Sequence, residues 1–396
     1  MKEVYIVSAK RTPVGGFLGS LSSHSATELG AIAIQHTYQS AGVDPSSIDS
    51  VYLGNVLSAN LGQSPARQAS VYAGIPHDKD CTTINKVCAS GIKATMLGAQ
   101  QIQLGFENLV ITGGMESMSN APHYVLYRKG NKLGDTSLID GLLKDGLTDA
   151  YHHYHMGNAA ELCVKEFGIS RAEQDYYALQ SYAKANKASA DRKFQHEMIP
   201  VTIEQKGSKI LLHQDEDIDK VIVEKVPQLK PVFDKEGTIT AANASNINDG
   251  AAALLLASAE ALKKFNLKPL AKIIAFADAA RQPERFTTDP SIAIQRAANY
   301  AGLSLSNIDF FEINEAYAAV AIANQKLLNI PSHKLNVYGG AIAIGHPLGA
   351  SGARILCTLL SVLIQEGGRF GVAAICNGGG GASAMIIENL THNQYD

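Results

Sequence analysis

Four separated segments of the chain carry side chains able to do covalent or acid–base chemistry. The first is Asn85-Lys86-Val87-Cys88-Ala89-Ser90-Gly91. Cys88 closes an extended run and precedes the Ala- and Gly-rich stretch 89–104, which reads as a helix. A thiol at a helix N-terminus meets the positive end of the macrodipole, and that favours thiolate. An ordinary thiol, with a pKa of about 8.5, is only a few per cent ionised at neutral pH. Lowering that value by one unit takes about 1.4 kcal/mol, within reach of a dipole and a neighbouring histidine. Cys88 is therefore expected to be a thiol of depressed pKa. Packing as a small hydrophobe is the competing explanation for any single cysteine.

The second segment, Gly339-Gly340-Ala341-Ile342-Ala343-Ile344-Gly345-His346-Pro347-Leu348-Gly349-Ala350-Ser351-Gly352, crowds glycines around His346. Glycine lets backbone approach a ligand closely, and Pro347 fixes the turn and removes a donor. The third, Ala374-Ile375-Cys376-Asn377-Gly378-Gly379-Gly380-Gly381, puts a second thiol at the end of a buried strand. The glycines behind it can aim backbone amides into a cavity or can simply make a loose turn. The fourth is Glu312-Ile313-Asn314-Glu315-Ala316-Tyr317-Ala318, where Asn314 either caps a helix or holds a water. Cys81, Cys163 and Cys357 have no comparable setting. No Cys-x-x-Cys or His-Glu-x-x-His spacing occurs, so no metal is expected; the His152, His153, His155 cluster lacks partner ligands.

An internal repeat supplies the elements that must position these groups. Ile32-Ala33-Ile34-Gln35 recurs as Ile292-Ala293-Ile294-Gln295, and Ala41-Gly42, Ser46 and Ile48-Asp49 recur in the same ungapped register as Ala301-Gly302, Ser306 and Ile308-Asp309. Ala89-Ser90-Gly91 then matches Ala350-Ser351-Gly352, which places His346 near the two-fold mate of the Cys88 site. Each copy reads as helix, short strand, glycine turn and helix, followed by an apolar strand at 109–112 or 372–375. Layered α/β halves about a pseudo-two-fold axis are expected, with a site where they meet. The expected units are 1–118 with 249–270, an inserted subdomain 119–248, and 271–396. The insertion is richer in charge and loop signals, and 171–193 within it reads as a helix.

With 396 residues the chain exceeds one ordinary core, and 46% hydrophobic with 18% charged residues is a globular composition. A formal charge of −3 lacks the basic surplus of a nucleic-acid binder. No run is expected to span a membrane; the longest candidate, 250–262, is broken by Ser258 and Glu260. The start Met1-Lys2-Glu3 lacks a signal-peptide pattern and the end Gln394-Tyr395-Asp396 is no peroxisomal address. An odd count of five cysteines resembles no disulfide framework. A cytoplasmic protein is expected.

Together the four segments resemble the thiolase family over essentially the whole chain. Asn85 to Gly91 is similar to its nucleophile motif and Asn314-Glu315-Ala316-Tyr317-Ala318 to its Asn-Glu-Ala-Phe-Ala element. Gly345-His346-Pro347 and Cys376-x-Gly378-Gly379-Gly380 resemble its other two catalytic loops. The resemblance implies a five-layer α/β fold and short-chain acyl transfer between coenzyme A thioesters. Cys88 would carry the acyl group, His346 would be its base, and Cys376 would move the α-carbon proton. Asn314 would hold a water beside His346, and the Cys88 and Gly378 amides would form an oxyanion hole. Removing one such donor in other enzymes costs about 2.7–4 kcal/mol. Ser245, His155, Met156, Leu147, Ala316 and Tyr317 would line the coenzyme A channel. Coenzyme A and acetyl-CoA would enter as substrates with no tightly bound cofactor, and the family implies a homodimer or homotetramer.

Three positions depart from the family pattern: Tyr338 stands for Asn, Gly381 for a larger residue and Ala382 for Gly. A degradative thiolase of longer 3-ketoacyl-CoA chains is the nearest alternative, and a bulky Met156 argues against it. A decarboxylating condensing enzyme would lack Cys376. A non-catalytic acyl-CoA-binding protein on this fold would have lost at least one of the four chemical groups.

Overall fold

Apolar runs at the places marked by the repeat form strands, and they do so in mirrored order. In the computed structural model, which describes residues 1–205 and 207–391, nine of them join one mixed sheet. They are β1 (Val4–Arg11), β2 (Ser50–Gly54), β3 (Asp80–Ile84), β4 (Leu109–Ser117), β5 (Asn248–Ser258), β6 (Ala271–Ala280), β7 (Phe310–Ile313), β8 (Phe370–Asn377) and β9 (Gly381–Asn389). Their order is β7-β8-β9-β6-β1-β5-β4-β2-β3, with the two-residue strand Gly15–Gly16 beside β5. From the middle outward, β1, β5, β4 and β2 are repeated by β6, β9, β8 and β7. Both runs are antiparallel except for the parallel outer pairs β4/β2 and β8/β7. The two halves join through a short antiparallel contact of Val4 to Ile6 with Ile273 to Ala271.

The helices are α1 (Ala26–Ser40), α2 (Pro65–Tyr72), α3 (Ser90–Leu104), α4 (Met156–Phe167), α5 (Arg171–Ala190), α6 (Ala259–Lys264), α7 (Asp289–Ala301), α8 (Ala318–Leu328), α9 (Ala341–Ile344) and α10 (Leu348–Glu366). Capping boxes Ser25/Glu28 and Ser170/Glu173 start α1 and α5. Helix α5 ends at Ala190, three residues before the expected Lys193. Helices α1 and α2 pack on the outer face of the first half-sheet and α7 on that of the second. Between the half-sheets, α3 and α10 bury Ile92, Met96, Leu356 and Leu360 against β1, β5 and β8. The result is five layers, helix–sheet–helix–sheet–helix. This covering of both faces explains why β4, β5 and β8 read as unbroken apolar runs.

One sequence expectation needs correction here. By length and composition the α10 segment Leu348–Gln365 is apolar enough to cross a membrane, whereas 250–262 is the central strand β5 with the start of α6. Some 89% of that helical segment is buried inside the protein, so its apolarity is that of a core helix wrapped by sheet.

Helices α3 and α10 come together at their N-termini, and only glycine permits it. A Cβ on Gly91 would lie 2.7 Å from the Ala353 amide nitrogen, and one on Gly352 would lie 2.4 Å from that of Ile92. The repeated Ala-Ser-Gly is thus the mark of one crossing seen from both halves. The chain between β4 and β5, which includes α4 and α5, is fastened to the core by a buried cation. Arg11 in β1 donates to Glu197 at 2.6 Å and to Asp215 at 2.7 and 3.0 Å, all within the interior. Asp215, although it lies in the charge-rich insertion, is therefore a core residue.

Replacing Gly352 with alanine is expected to destabilise the protein by about 1–3 kcal/mol or more, as overpacking of a rigid crossing does. A denaturant titration beside the unmodified protein measures it; an unchanged midpoint would show that the crossing has slack.

Candidate active site

Cys88 sits in a turn that its own neighbours hold under strain. Val87 has φ of 48°, a left-handed conformation that disfavours a β-branched residue by about 1–3 kcal/mol. Side chains pin it there: the Val87 amide donates to Asn85 Oδ1 at 2.9 Å, Ser90 Oγ donates to Val87 O at 2.6 Å, and the Lys86 amide donates to Ser90 Oγ at 2.8 Å. Lys86 Nζ reaches across the halves to Asp278 Oδ1 at 2.6 Å and Ser383 Oγ at 2.9 Å. Cys88 follows, just before α3, half-buried and open to a cavity.

The expected depression of the Cys88 pKa is not what the surroundings produce. Burial pushes the thiol up to about 11, outweighing the amides of Gly378 and of Cys88 itself, which pull it down. The helix-end dipole is real, but desolvation of an anion costs more than that dipole returns. At rest Cys88 is a neutral thiol.

His346 is neutral as well. Burial, then the charge of Arg354, lowers its pKa to about 3. Its amide donates to Asn248 Oδ1 at 2.8 Å. Gly345, at φ 115°, leaves no room for a side chain: a Cβ would lie 2.6 Å from Val14 and 2.7 Å from Asn248. The tautomer follows from Ser351. Its hydroxyl lies 2.8 Å from Pro347 O and 2.6 Å from His346 Nδ1; with its one hydrogen directed to Pro347 O, the imidazole donates from Nδ1. Nε2 is then bare, which agrees with the Asn314 Nδ2 donor facing it at 3.5 Å. The lone pair that a base needs is free.

Asn314 and Cys376 arrive on neighbouring parallel strands. Asn314 follows β7, and its amide donates to Ala374 O at 2.9 Å; Cys376 lies near the end of β8. Asn314 precedes no helix directly: Tyr317 caps α8, so the capping explanation for Asn314 fails. Burial raises the Cys376 thiol well above its ordinary range, and proximity to Cys88 adds to the rise. The turn beyond it needs its glycines, since Gly379 and Gly380 both have φ of 86°. Gly381 pairs with Asn377 across this turn, where a Cβ would lie 3.0 Å from the Asn377 side chain. Tyr338 lies buried, its hydroxyl donating to Glu366 at 2.7 Å and its ring edge-on to Phe194. It is absent from the cavity wall.

A cavity of about 790 Å³ opens onto this cluster. Cys88, His346 and Gly378 lie on its wall, and so do Ser245, His155, Met156, Leu147, Ala316 and Tyr317. Asn314 and Cys376, each about 1% exposed, stand behind that wall. Ser245 Oγ donates to Ala316 O at 3.0 Å, joining two wall segments. Phe233, which drew no attention as sequence, stacks on His155 at 4.5 Å and meets Tyr317 edge-on at 5.9 Å. Gly157 is its tell-tale, because a Cβ there would lie 2.2 Å from the Phe233 ring. Exposed Lys220 and Lys225 also border the cavity and were missed; surface lysines at this spacing carry no signal by themselves.

The thiolase N-terminal domain matches residues 4–260 and the thiolase C-terminal domain matches residues 267–389. The cytosolic acetyl-CoA acetyltransferase of Gibberella zeae is 52% identical, with 98% of each chain covered. The mitochondrial acetyl-CoA acetyltransferase of Mus musculus is 50% identical, over 98% of this chain and 92% of the mouse protein. The Acat5 thiolase of Ascaris suum, solved in complex with coenzyme A, superposes with a TM-score of 0.94 at 46% identity, covering 98% of this chain and all of that one. The chain belongs to the thiolase family.

A raised thiol pKa has a direct signature. Alkylation of Cys88 by iodoacetamide should rise about tenfold per pH unit from pH 6 to 9, because the thiolate fraction does so below the pKa. Peptide mapping by mass spectrometry separates the Cys88 rate from that of the half-buried Cys81, and acetyl-CoA should protect Cys88. A plateau at or below pH 8 would mean that the dipole and amides win after all.

Proposed function

We propose that this chain is an acetyl-CoA C-acetyltransferase, interconverting two acetyl-CoA with acetoacetyl-CoA and coenzyme A by Claisen condensation and thiolysis. The observation that carries this reading is the convergence of these groups on one cavity. A neutral thiol and a neutral imidazole with a bare Nε2 share the wall, and a second thiol lies close behind.

Acyl transfer begins as Cys88 Sγ attacks the thioester carbonyl and gives its proton to His346 Nε2. The Cys88 and Gly378 amides hold the tetrahedral oxyanion, and collapse expels coenzyme A thiolate. Cys376 protonates that thiolate and is left as a thiolate itself, opposite the imidazolium. It then removes an α-hydrogen from the second acetyl-CoA. Nε2–H, newly a donor, and a water on Asn314 steady the enolate oxygen. The carbanion attacks the Cys88 thioester, Cys88 departs, and His346 returns its proton. Every proton is accounted for, and coenzyme A enters only as substrate. The raised thiol values suit this sequence, because each thiolate exists only while a partner carries the matching charge.

Chain length is read from Met156. Its Sδ and Cε lie 3.8 Å from where a Cβ of Gly378 would stand, beside the oxyanion amide, and Leu147 and Phe286 lie on the same cavity wall. That position suits an acetyl or acetoacetyl group and obstructs a long tail. A degradative thiolase of longer chains is thereby disfavoured. Retention of Cys88, His346, Cys376 and Asn314 disfavours a non-catalytic binder.

The same reading makes the protein a cytoplasmic homodimer or homotetramer, as the family resemblance implies. It divides the chain into 1–118 with 249–270, 119–248 and 271–396, in keeping with the mirrored strand order. The insertion then supplies most of the channel wall.

Two expected outcomes test it. Thiolysis of acetoacetyl-CoA should far exceed that of a ten-carbon 3-ketoacyl-CoA in kcat/KM, and Met156→Ala should narrow the gap; equal efficiency in the unmodified enzyme would reassign it to long chains. Cys88→Ala should abolish acyl-enzyme formation and turnover alike. Cys376→Ser should still take label from radioactive acetyl-CoA at Cys88 while condensation falls by orders of magnitude, since a hydroxyl is a far weaker acid and base partner. Near-normal condensation by Cys376→Ser would make that cysteine structural.

A further inference from the structure

A buried carboxylate that the scheme above leaves unused lies beneath the catalytic loops. Glu116, in β4, is fully buried, and among the described residues no lysine, arginine or histidine forms an ion pair with it. Four N–H donors surround it instead. Oε1 accepts from Asn55 Nδ2 at 2.8 Å and the Leu57 amide at 3.1 Å; Oε2 accepts from the Val56 amide at 3.1 Å and the Gly349 amide at 2.8 Å. The Gly349 amide belongs to the first turn of α10, where backbone donors lack intrahelical partners and the dipole is positive. Glu116 therefore caps that helix from a strand of the opposite half.

Both catalytic groups are neighbours of this clamp. Gly345-His346-Pro347 runs directly into α10. On the other side Val56 and Leu57 join Met118, Leu142 and Leu348 in the apolar cluster on which Cys88 packs. The fit is tight: a Cβ on Gly349 would lie 2.8 Å from Asn55 Cα and Met115 O, and one on Gly114 would lie 2.0 Å from Gly349 O.

We propose that Glu116 is a positioning residue for acyl transfer, tying the His346 loop of one half to the Cys88 floor of the other only while it is ionised. The ionic requirement is stereochemical. Three of the four partners are backbone amides, which can only donate, and Asn55 Nδ2 is also held toward Met115 O at 3.3 Å, so a hydrogen added to either oxygen confronts donors and a bond must break or Asn55 must turn over. The balance is fine, because burial pushes the carboxyl up to about 7 against the pull of the amides, and Asp249 on the adjacent β5 adds to the rise. Cys88 is the other titratable group that senses Glu116, and it is uncharged at rest. Loss of the clamp on acidification therefore comes near pH 7, far above the titration of His346 at about 3.

The inference rests on reading Cys88 and His346 as the acyl-transfer pair, and the test separates the two. Thiolysis of acetoacetyl-CoA by the full-length enzyme is followed from pH 5.5 to 8.5, with kcat and KM resolved, for the unmodified protein, Glu116→Gln and Asn55→Ala. The unmodified kcat should fall on the acid side with a midpoint near 7. Asn55→Ala removes a donor from the charged form, which raises the carboxyl pKa and should move that midpoint up by about half a unit or more. Glu116→Gln cannot titrate: its kcat should be roughly 10–100-fold lower, the scale of a 1 Å misplacement, yet flat across the same limb. KM for coenzyme A should change less than about twofold, since neither residue is on the cavity wall. An unmoved midpoint in Asn55→Ala, or an acid limb in Glu116→Gln like that of the unmodified enzyme, would overturn the proposal. Should Glu116→Gln not fold, the Asn55→Ala midpoint decides alone. An unmodified enzyme without thiolysis activity would overturn the acyl-transfer reading itself and this proposal with it.

Discussion

Helices α3 and α10 cross near their N-termini with hydrogen atoms where other helices have side chains, and the site exists because they do. Cys88 stands two residues before α3 and His346 two residues before α10, so a crossing held apart by even a methyl group on Gly91 or Gly352 would separate thiol from base. Gly114 and Gly54 extend the same constraint into the sheet, where a Cβ would lie 2.0 Å from Gly349 O or 2.6 Å from the Gly91 amide. Interiors are close-packed, so such contacts relax by moving backbone rather than by filling space. Duplication supplies the crossing cheaply in design terms: one helix–strand unit, copied, brings two helix N-termini to one axis.

The chemistry then depends on burial as much as on position. Removing the thiols and the imidazole from water keeps all three neutral at rest, against the pull of amides and helix ends. Charge forms only in pairs, and a protected cavity strengthens each attraction when it does. Ser351 contributes by engaging Nδ1 at 2.6 Å, which leaves Nε2 facing Asn314. Glu315, absent from the chemistry, accepts from Tyr177, Ser181, Asn336 and the Ile342 amide, and so locks the strand that delivers Asn314 to the loop that leads to His346. A buried carboxylate with that many donors is costly to break and rigid while intact.

The wall of the cavity belongs largely to the inserted region, which has no counterpart in the second half. Its anchor is the Arg11 pair with Glu197 and Asp215, buried on both sides. Breaking one partner of such a group typically costs about 3–5 kcal/mol, because the charge left behind stays desolvated. The insertion is therefore part of the core at its base and a lining at its tip, where Met156 and Phe233 shape the space next to Gly378.

By itself the sequence determined the duplication, the layered α/β architecture, the start of each crossing helix and the four segments with reactive groups. It could do so because those properties are local: periodicity, caps and glycine turns depend on neighbours along the chain. The Gly345-His346-Pro347 loop, for example, declared its tight backbone through composition alone. The tertiary structure decided what depends on neighbours in space. It set the Cys88 thiol up rather than down, since desolvation by residues from several elements outweighs one helix dipole. It made Leu348–Gln365 a core helix, buried Asp215 at the base of the charge-rich insertion, and put Glu116 beneath both catalytic loops. No local pattern specifies which donors will surround a carboxylate when two halves of a chain close over it, because those donors come from residues 55, 56, 57 and 349 and meet only in the folded protein.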